Sequence, residues 1–221
     1  VYVTADSRLK KDQDNRRYHL ILLAENNIGY RNLMHIVSEG FVSGFYYKPR
    51  VDYEVLRKYS EGIIATSACL GGEIPQHILN NNYDEARARA LNYIDIFGKD
   101  NFFLELQDHG IREQKEVNLE LIKLSRELDI PLIATNDVHY ARQEDAKAHD
   151  VLLCVQTNST IEEEKRMKFP SEEFYVKSPE EMAELFPNHL EALENTKKIA
   201  NRCQVDLEFG HLHLPFFEVP E

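Results

Sequence analysis

Cysteine is scarce in this sequence: Cys69, Cys154 and Cys203 are the three in 221 residues, an odd number with no CxxC pair among them. That spacing excludes a disulfide framework and a thiolate-built structural zinc site, and it fits a reducing compartment. Long apolar runs are missing too. No stretch approaches the roughly 20 apolar residues of a membrane helix, and the opening residues show no secretory leader pattern, so a cytoplasmic chain without membrane contact is the expectation. Positive charge is the third shortage, 26 Lys and Arg against 38 Asp and Glu, a net charge of -12. Phosphate backbones select basic surfaces. Any contact with DNA must therefore be local, or must draw positive charge from a bound cation or a basic neighbour. GxSxG, Walker-type and GxGxxG motifs are absent as well, which removes the hydrolase elbow and both common nucleotide loops.

What is present is apolar content of 43%, enough for one large domain or a domain with an appendage. The chain opens on Val1-Tyr2-Val3-Thr4-Ala5, a strand-like run with no initiator Met, as expected of a chain that starts inside something larger. Four times an apolar run precedes a segment of helical period: 18–24 before 30–38, 62–66 before 73–97, 102–106 before 112–128, and 132–135 before 144–155. On the third helix Val117, Leu121, Leu124 and Leu128 keep one face, and on the fourth Ala148, Val151, Leu152 and Val155 do. Strands alternating with amphipathic helices predict α/β structure with a parallel sheet, closed into a barrel or doubly wound. Beyond it, 157–170 reads as an exposed loop and 174–177 as a strand. Ser178-Pro179-Glu180-Glu181 reads as a capping box, and a last helix covers 190–203.

Two neighbouring strand ends carry the chemistry. In 104–110 (LELQDHG), alternation puts Glu105, Gln107 and His109 on one face; in 134–140 (ATNDVHY), Asp137 and His139 share one. Parallel α/β folds gather ligands at the carboxyl ends of their strands, and imidazole with carboxylate is a usual set for zinc, manganese or iron. A lone Asp-x-His is more often a surface turn, and the second His-bearing strand end is what favours a metal. On spacing alone His19 is an edge histidine. His35, His77, His149 and His189 read as structural or exposed, and the His211-x-His213 pair is set aside as lying in a proline-flanked tail. Cys69 reads as a small residue in a tight turn.

The runs 29–33 (GYRNL), 44–50 (GFYYKPR), 104–110, 134–140, 149–153 (HDVLL) and 174–182 (FYVKSPEEM) resemble, in order and over nearly the whole chain, the PHP (polymerase and histidinol phosphatase) domain of bacterial DNA polymerase III alpha subunits. The resemblance implies a partial, distorted (β/α)7 barrel lacking its first βα units. The domain would cover 1–209, with a helical end near 179–203, and 210–221 would be a connector towards a polymerase core. It also implies up to three divalent ions, zinc, manganese or iron, with His19, His109, Asp137 and His139 as ligands. Lys48 and Arg50 are implied to meet DNA. The parent enzyme would be a magnesium-dependent DNA-directed DNA polymerase, a nucleotidyltransferase on primer-template DNA. Its PHP domain would be either a metal-dependent 3′–5′ exonuclease or a non-catalytic scaffold that docks the proofreading exonuclease subunit among other replisome subunits. A free-standing histidinol phosphatase-like phosphoesterase shares the ligand types and ranks behind both. An open barrel also leads to an expectation of self-association through Val1 to Ala5 or a neighbouring strand.

Overall fold

The structure is a computed structural model and describes residues 1–212 and 214–218. In chain order, β1 (Tyr2–Thr4), β2 (Arg17–His19) and β3 (Ile21–Ala24) lead into α1 (Asn27–Val42), followed by β4 (Arg50–Asp52), α2 (Tyr53–Lys58) and β5 (Ile63–Thr66). Then come α3 (Glu73–Leu79), α4 (Tyr83–Phe97), β6 (Phe102–Leu106), α5 (Arg112–Leu128), β7 (Leu132–Ala134), α6 (Ala146–Thr157), α7 (Pro179–Leu185) and α8 (Leu190–Arg202). The class is mixed α/β. Among the described residues the strands form two open sheets, ordered β2-β1-β4 and β3-β5-β6-β7, and not one closed barrel.

The expectation of a parallel sheet holds where a helix supplies the crossover. β1 runs parallel to β4 through α1, β5 to β6 through α3 and α4, and β6 to β7 through α5. Parallel neighbours need such a connection. β2 returns antiparallel to β1 through a loop with no helix, and β3 pairs antiparallel with β5. The single run expected over 18–24 divides at Leu20, which is 1% exposed, so that its first half joins one sheet and its second half the other. β4 and α2 escaped the sequence reading because Arg50-Val51-Asp52 is too short and too charged to show alternation. Asp52 caps α2, accepting a hydrogen bond from the Val55 N–H at 3.2 Å.

β5, β6 and β7 are buried on both faces, as parallel strands usually are. Ile63, Ala65, Leu104 and Leu106 face the main core with α3, α4 and α5, while Ile64, Phe103 and Ile133 meet Ile199 of α8 on the other side. α1 approaches β5 closely at Gly29, where an added Cβ would lie 1.8 Å from the Gly62 carbonyl oxygen.

Three other expectations change. The strand read over 174–177 is a single bridge, Tyr140 to Tyr175. On α6 the expected face is wrong: Val151, Leu152 and Val155 are 54%, 62% and 74% exposed, and Leu153 and Cys154 are buried instead. Among the described residues no strand follows α6, so it is not a crossover helix between the described strands. β1 is hydrogen-bonded on both sides, so Val1 to Ala5 offers no free edge for self-association, and the outer strands of its sheet are the neighbours β2 and β4. The capping box at Ser178 forms as read, with the Ser178 hydroxyl accepting from the Glu181 N–H at 3.2 Å and the Glu181 carboxylate accepting from the Ser178 N–H at 2.7 Å. His213 and the last residues of the expected connector, 219–221, lie outside the described residues.

Candidate metal centre and its histidine rim

β6 and β7 are in parallel register, Leu106 opposite Ala134, so the residues after both strands emerge at one edge. Glu105 and Gln107 share a buried face there. The Glu105 carboxylate accepts hydrogen bonds from the Thr66 and Thr135 hydroxyls, and from Gln107 Nε2 at 2.9 Å. A buried carboxylate needs such donors. These three occupy most of the acceptor sites of the carboxylate. Gln107 Oε1 and Asn136 Oδ1 are buried at this edge with no partner among the described residues.

His109 is fully buried. Its backbone N–H donates to Gln114 Oε1 at 2.8 Å, which fixes the orientation of that amide, so Gln114 Nε2 donates to His109 Nδ1 at 2.7 Å. The ring proton therefore sits on Nε2 and donates to the Asn136 carbonyl at 2.9 Å. Phe174 stacks on the ring at 3.9 Å between centroids. Both ring nitrogens are engaged, so in this arrangement the imidazole has no lone pair to give a cation. This differs from the ligand role expected for it. The Asn136 carbonyl it holds belongs to the residue just before Asp137.

Asp137 and His139 are not on a strand, and their shared face does not arise from alternation. Asp137 has φ of 41°, in the left-handed region, and its carbonyl accepts a 2.6 Å hydrogen bond from His139 Nδ1. That bond leaves Nε2 as the ring's lone-pair nitrogen, the tautomer and the supporting carbonyl hydrogen bond usual in metal-binding histidines. His139 N donates to the Phe174 carbonyl at 2.8 Å, and Phe169 packs against its ring at 4.6 Å between centroids. Phe169 is thus the inward anchor of a segment read from sequence as wholly exposed.

His19 arrives from β2. Its Nδ1 lies 3.4 Å from Cys69 Sγ. Burial lowers the His19 pKa, and the Asp137 carboxylate opposes it. Burial raises the Cys69 thiol pKa, and the charges of Asp137 and Glu105 push it the same way. Asp137 thus stands close enough to act on both side chains. Cys69 follows a strand and on sequence could reach the rim, although a tight-turn role is favoured there; the structure places it in that turn and facing His19. Ala68 before it has φ of 59° and Gly72 after it packs against the Ser67 carbonyl, so the turn holds the thiol towards His19.

Among the described residues no group of three or more His, Cys, Asp or Glu side chains stands together tightly enough to hold a metal ion. The expected ligands are thus distributed: His19 with Cys69, Asp137 with His139, and His109 behind them as a support. Of the DNA-contact residues, Lys48 is exposed, whereas Arg50 is 1% exposed, with its guanidinium aimed at the carbonyls of Gly44, Asn15 and Lys10 at 3.3 to 3.5 Å.

Residues 1–109 match the family described as "PHP domain". The chain is similar to proteins named DNA polymerase III subunit alpha. It is 46% identical to that of Treponema pallidum over 223 residues, spanning 100% of this chain and 19% of the relative. It is 48% identical to that of Borreliella burgdorferi (99% and 19%) and 45% identical to that of Thermus aquaticus (100% and 19%). The chain spans about a fifth of the length of these curated relatives.

Proposed function

We propose that this chain is a PHP domain of the form carried by DNA polymerase III alpha subunits, to which its first 109 residues and its relatives point, and that it is the partial-barrel section of a cytoplasmic replicative polymerase. The parent would be a DNA-directed, magnesium-dependent nucleotidyltransferase acting on primer-template DNA beside its replisome partners. Within the chain, the proposed activity is that of a metal-dependent phosphoesterase of the 3′–5′ exonuclease type.

The observation that carries this reading is the facing of His19 Nδ1 and Cys69 Sγ at 3.4 Å under the charge of Asp137. A neutral imidazole, a thiol and a carboxylate suit zinc, manganese or iron. His139 fits the same set, because the Asp137 carbonyl holds its Nδ1 proton and leaves Nε2 to bind. His109 does not fit as a ligand and serves as a positioning residue that fixes the Asn136 carbonyl. The described residues provide pairs and not a full shell, so further donors would come from the longer protein. A divalent ion held there would lower the pKa of a water and stabilise charge on a phosphate. The chain's own part is to hold the donors in place and to aim the His139 lone pair.

Metal analysis of the purified chain tests the reading. Zinc or manganese retained by the wild type and lost in Cys69→Ala with His19→Ala, together with chelator-sensitive release of nucleotides from a single strand, is the expected result. Metal content and nuclease activity unchanged in that double variant would overturn it. The second reading, a scaffold that docks the proofreading exonuclease subunit, is favoured by one observation: no three ligand side chains converge among the described residues. It predicts no retained metal, no nuclease activity, and co-sedimentation with that subunit.

A further inference from the structure

We propose that the cavity beside His19, walled by Arg16, Arg17, Arg50, Tyr2, Tyr46 and Tyr47, seats single-stranded DNA and leads a phosphodiester towards the His19–Cys69 pair. The direction of the strand rests on the reading of that pair given above; the binding chemistry does not.

The cavity has a volume of about 590 Å³, and His19 and Gly71 are among its lining residues. Most arginines outside this cavity, among them Arg8, Arg57, Arg87, Arg89, Arg112, Arg166 and Arg202, pair with a carboxylate. Arg16, Arg17 and Arg50 make no such pair among the described residues, although acids outnumber bases 38 to 26 along the sequence. Arg16 and Arg17, both exposed and without an ion-pair partner among the described residues, form with the buried Arg50 a local exception to a net charge of -12. Arg50 is buried, with all three guanidinium nitrogens on backbone carbonyls and the Asp12 charge acting on it, so it braces the wall at Tyr46 and leaves the exposed Arg16 and Arg17 to meet a phosphate. The single acidic lining residue, Asp12, already faces Lys10 at 3.6 Å.

The aromatic walls decide which polyanion fits. The Arg17 guanidinium stands over the Tyr2 ring at 5.7 Å and that of Arg50 over Tyr46 at 5.1 Å. Tyr47 packs edge-to-face on Tyr46 at 4.6 Å between centroids and is 70% exposed, projected by a backbone φ of 59°. Interleaved guanidiniums and tyrosine faces suit unstacked bases on a phosphate chain, the usual chemistry of single-strand binding. A duplex hides those base faces and needs a wider basic footprint than this acidic chain offers. Within the same lining the His19 and Tyr2 rings meet edge-to-face at 5.1 Å between centroids. A Cβ at Gly71 would crowd His19 Nδ1 at 3.2 Å, so glycine there keeps the histidine's approach open.

Fluorescence anisotropy of a labelled oligothymidylate with the 221-residue chain in EDTA tests the proposal, because no metal chemistry then contributes. Arg16→Ala with Arg17→Ala is expected to weaken binding about 10-fold and to reduce the slope of log K against log salt by roughly 0.7 per arginine. Tyr47→Ala should weaken it about 5- to 100-fold at unchanged salt slope. Because the assay runs in EDTA, failure of the metal reading leaves these affinities as they are, and the two readings fail in different measurements. No binding by the wild type, wild-type affinity in the Arg16/Arg17 and Tyr47 variants, or equal affinity for a duplex or a polyglutamate peptide would overturn it.

Discussion

Gln114 holds His109 at two points, its amide oxygen on the histidine's backbone N–H at 2.8 Å and its amide nitrogen on Nδ1 at 2.7 Å. The first bond fixes the amide and the second then fixes the imidazole tautomer, so one residue on α5 sets the proton that secures the Asn136 carbonyl. Gln114→Leu would leave two buried groups without partners. A loss of about 1–3 kcal/mol for each is the expectation, read as a lower denaturation midpoint. Metal content per folded molecule should not change with it. A variant of wild-type stability that had lost metal would show that His109 binds the ion directly.

The sequence made the alternation of β5, β6 and β7 with their helices legible because each strand is a compact apolar run and α5 keeps a clean 3.6-residue face. It also marked the strand ends that carry Asp137 and His139. What it obscured has physical reasons. His109 and His139 look alike in sequence, and only Gln114, five residues after one of them, separates a locked imidazole from an available one. Cys69 passed for a turn residue, since its partner His19 lies 50 positions away and the contact depends on where β2 ends. Leu20 gives no local sign that the run through it divides between two sheets.

Glu73 opens α3 in a buried site, 2% exposed, where it accepts hydrogen bonds from Tyr53 at 2.6 Å and Tyr93 at 2.7 Å. Burial and the Glu73 charge together push both tyrosine hydroxyls well above their ordinary range. Arg89 stands 3.6 Å from the same carboxylate. Removing one member of a buried charged set while leaving the others is costly. Glu73→Ala should destabilise the fold by about 3–5 kcal/mol, measured by urea unfolding. Because α3 follows the Cys69 turn, the thiol should become accessible to Ellman's reagent in the same variant. An unchanged urea midpoint would show that the tyrosines find other partners.

Asp150 on α6 accepts two hydrogen bonds from Arg166, at 2.6 and 2.7 Å, and they pin the loop over 157–170. The Arg166 hydrogen bonds hold the Asp150 carboxyl below its ordinary value. A carboxyl whose pKa is depressed on folding contributes stability above its unfolded value of about 4 and loses it as pH falls through the lower folded one. Hydrogen exchange in 157–170 should therefore speed up relative to β6 below pH 4. Asp150→Asn should show the faster exchange already at pH 7. Exchange independent of pH in the wild type would remove this pair as the anchor.

β7 is the outer strand of its sheet, and α8 covers its free edge through side chains. Asn195 Nδ2 donates to the Leu132 carbonyl at 2.9 Å and the Thr196 hydroxyl to the Ala134 carbonyl at 3.1 Å. An uncovered edge of this kind pairs readily with other chains. Asn195→Leu with Thr196→Val keeps the helix and its volume and removes both donors, leaving two carbonyls at a buried edge. The expected cost is about 1–3 kcal/mol per orphaned group, with concentration-dependent association at temperatures where the wild type stays dispersed. Asp137 and His139 follow directly on this strand, so the same variant should also weaken metal retention in proportion to its loss of folded population. A fall in metal content well beyond that proportion would mean that α8 sets the register of the rim and does more than shield it.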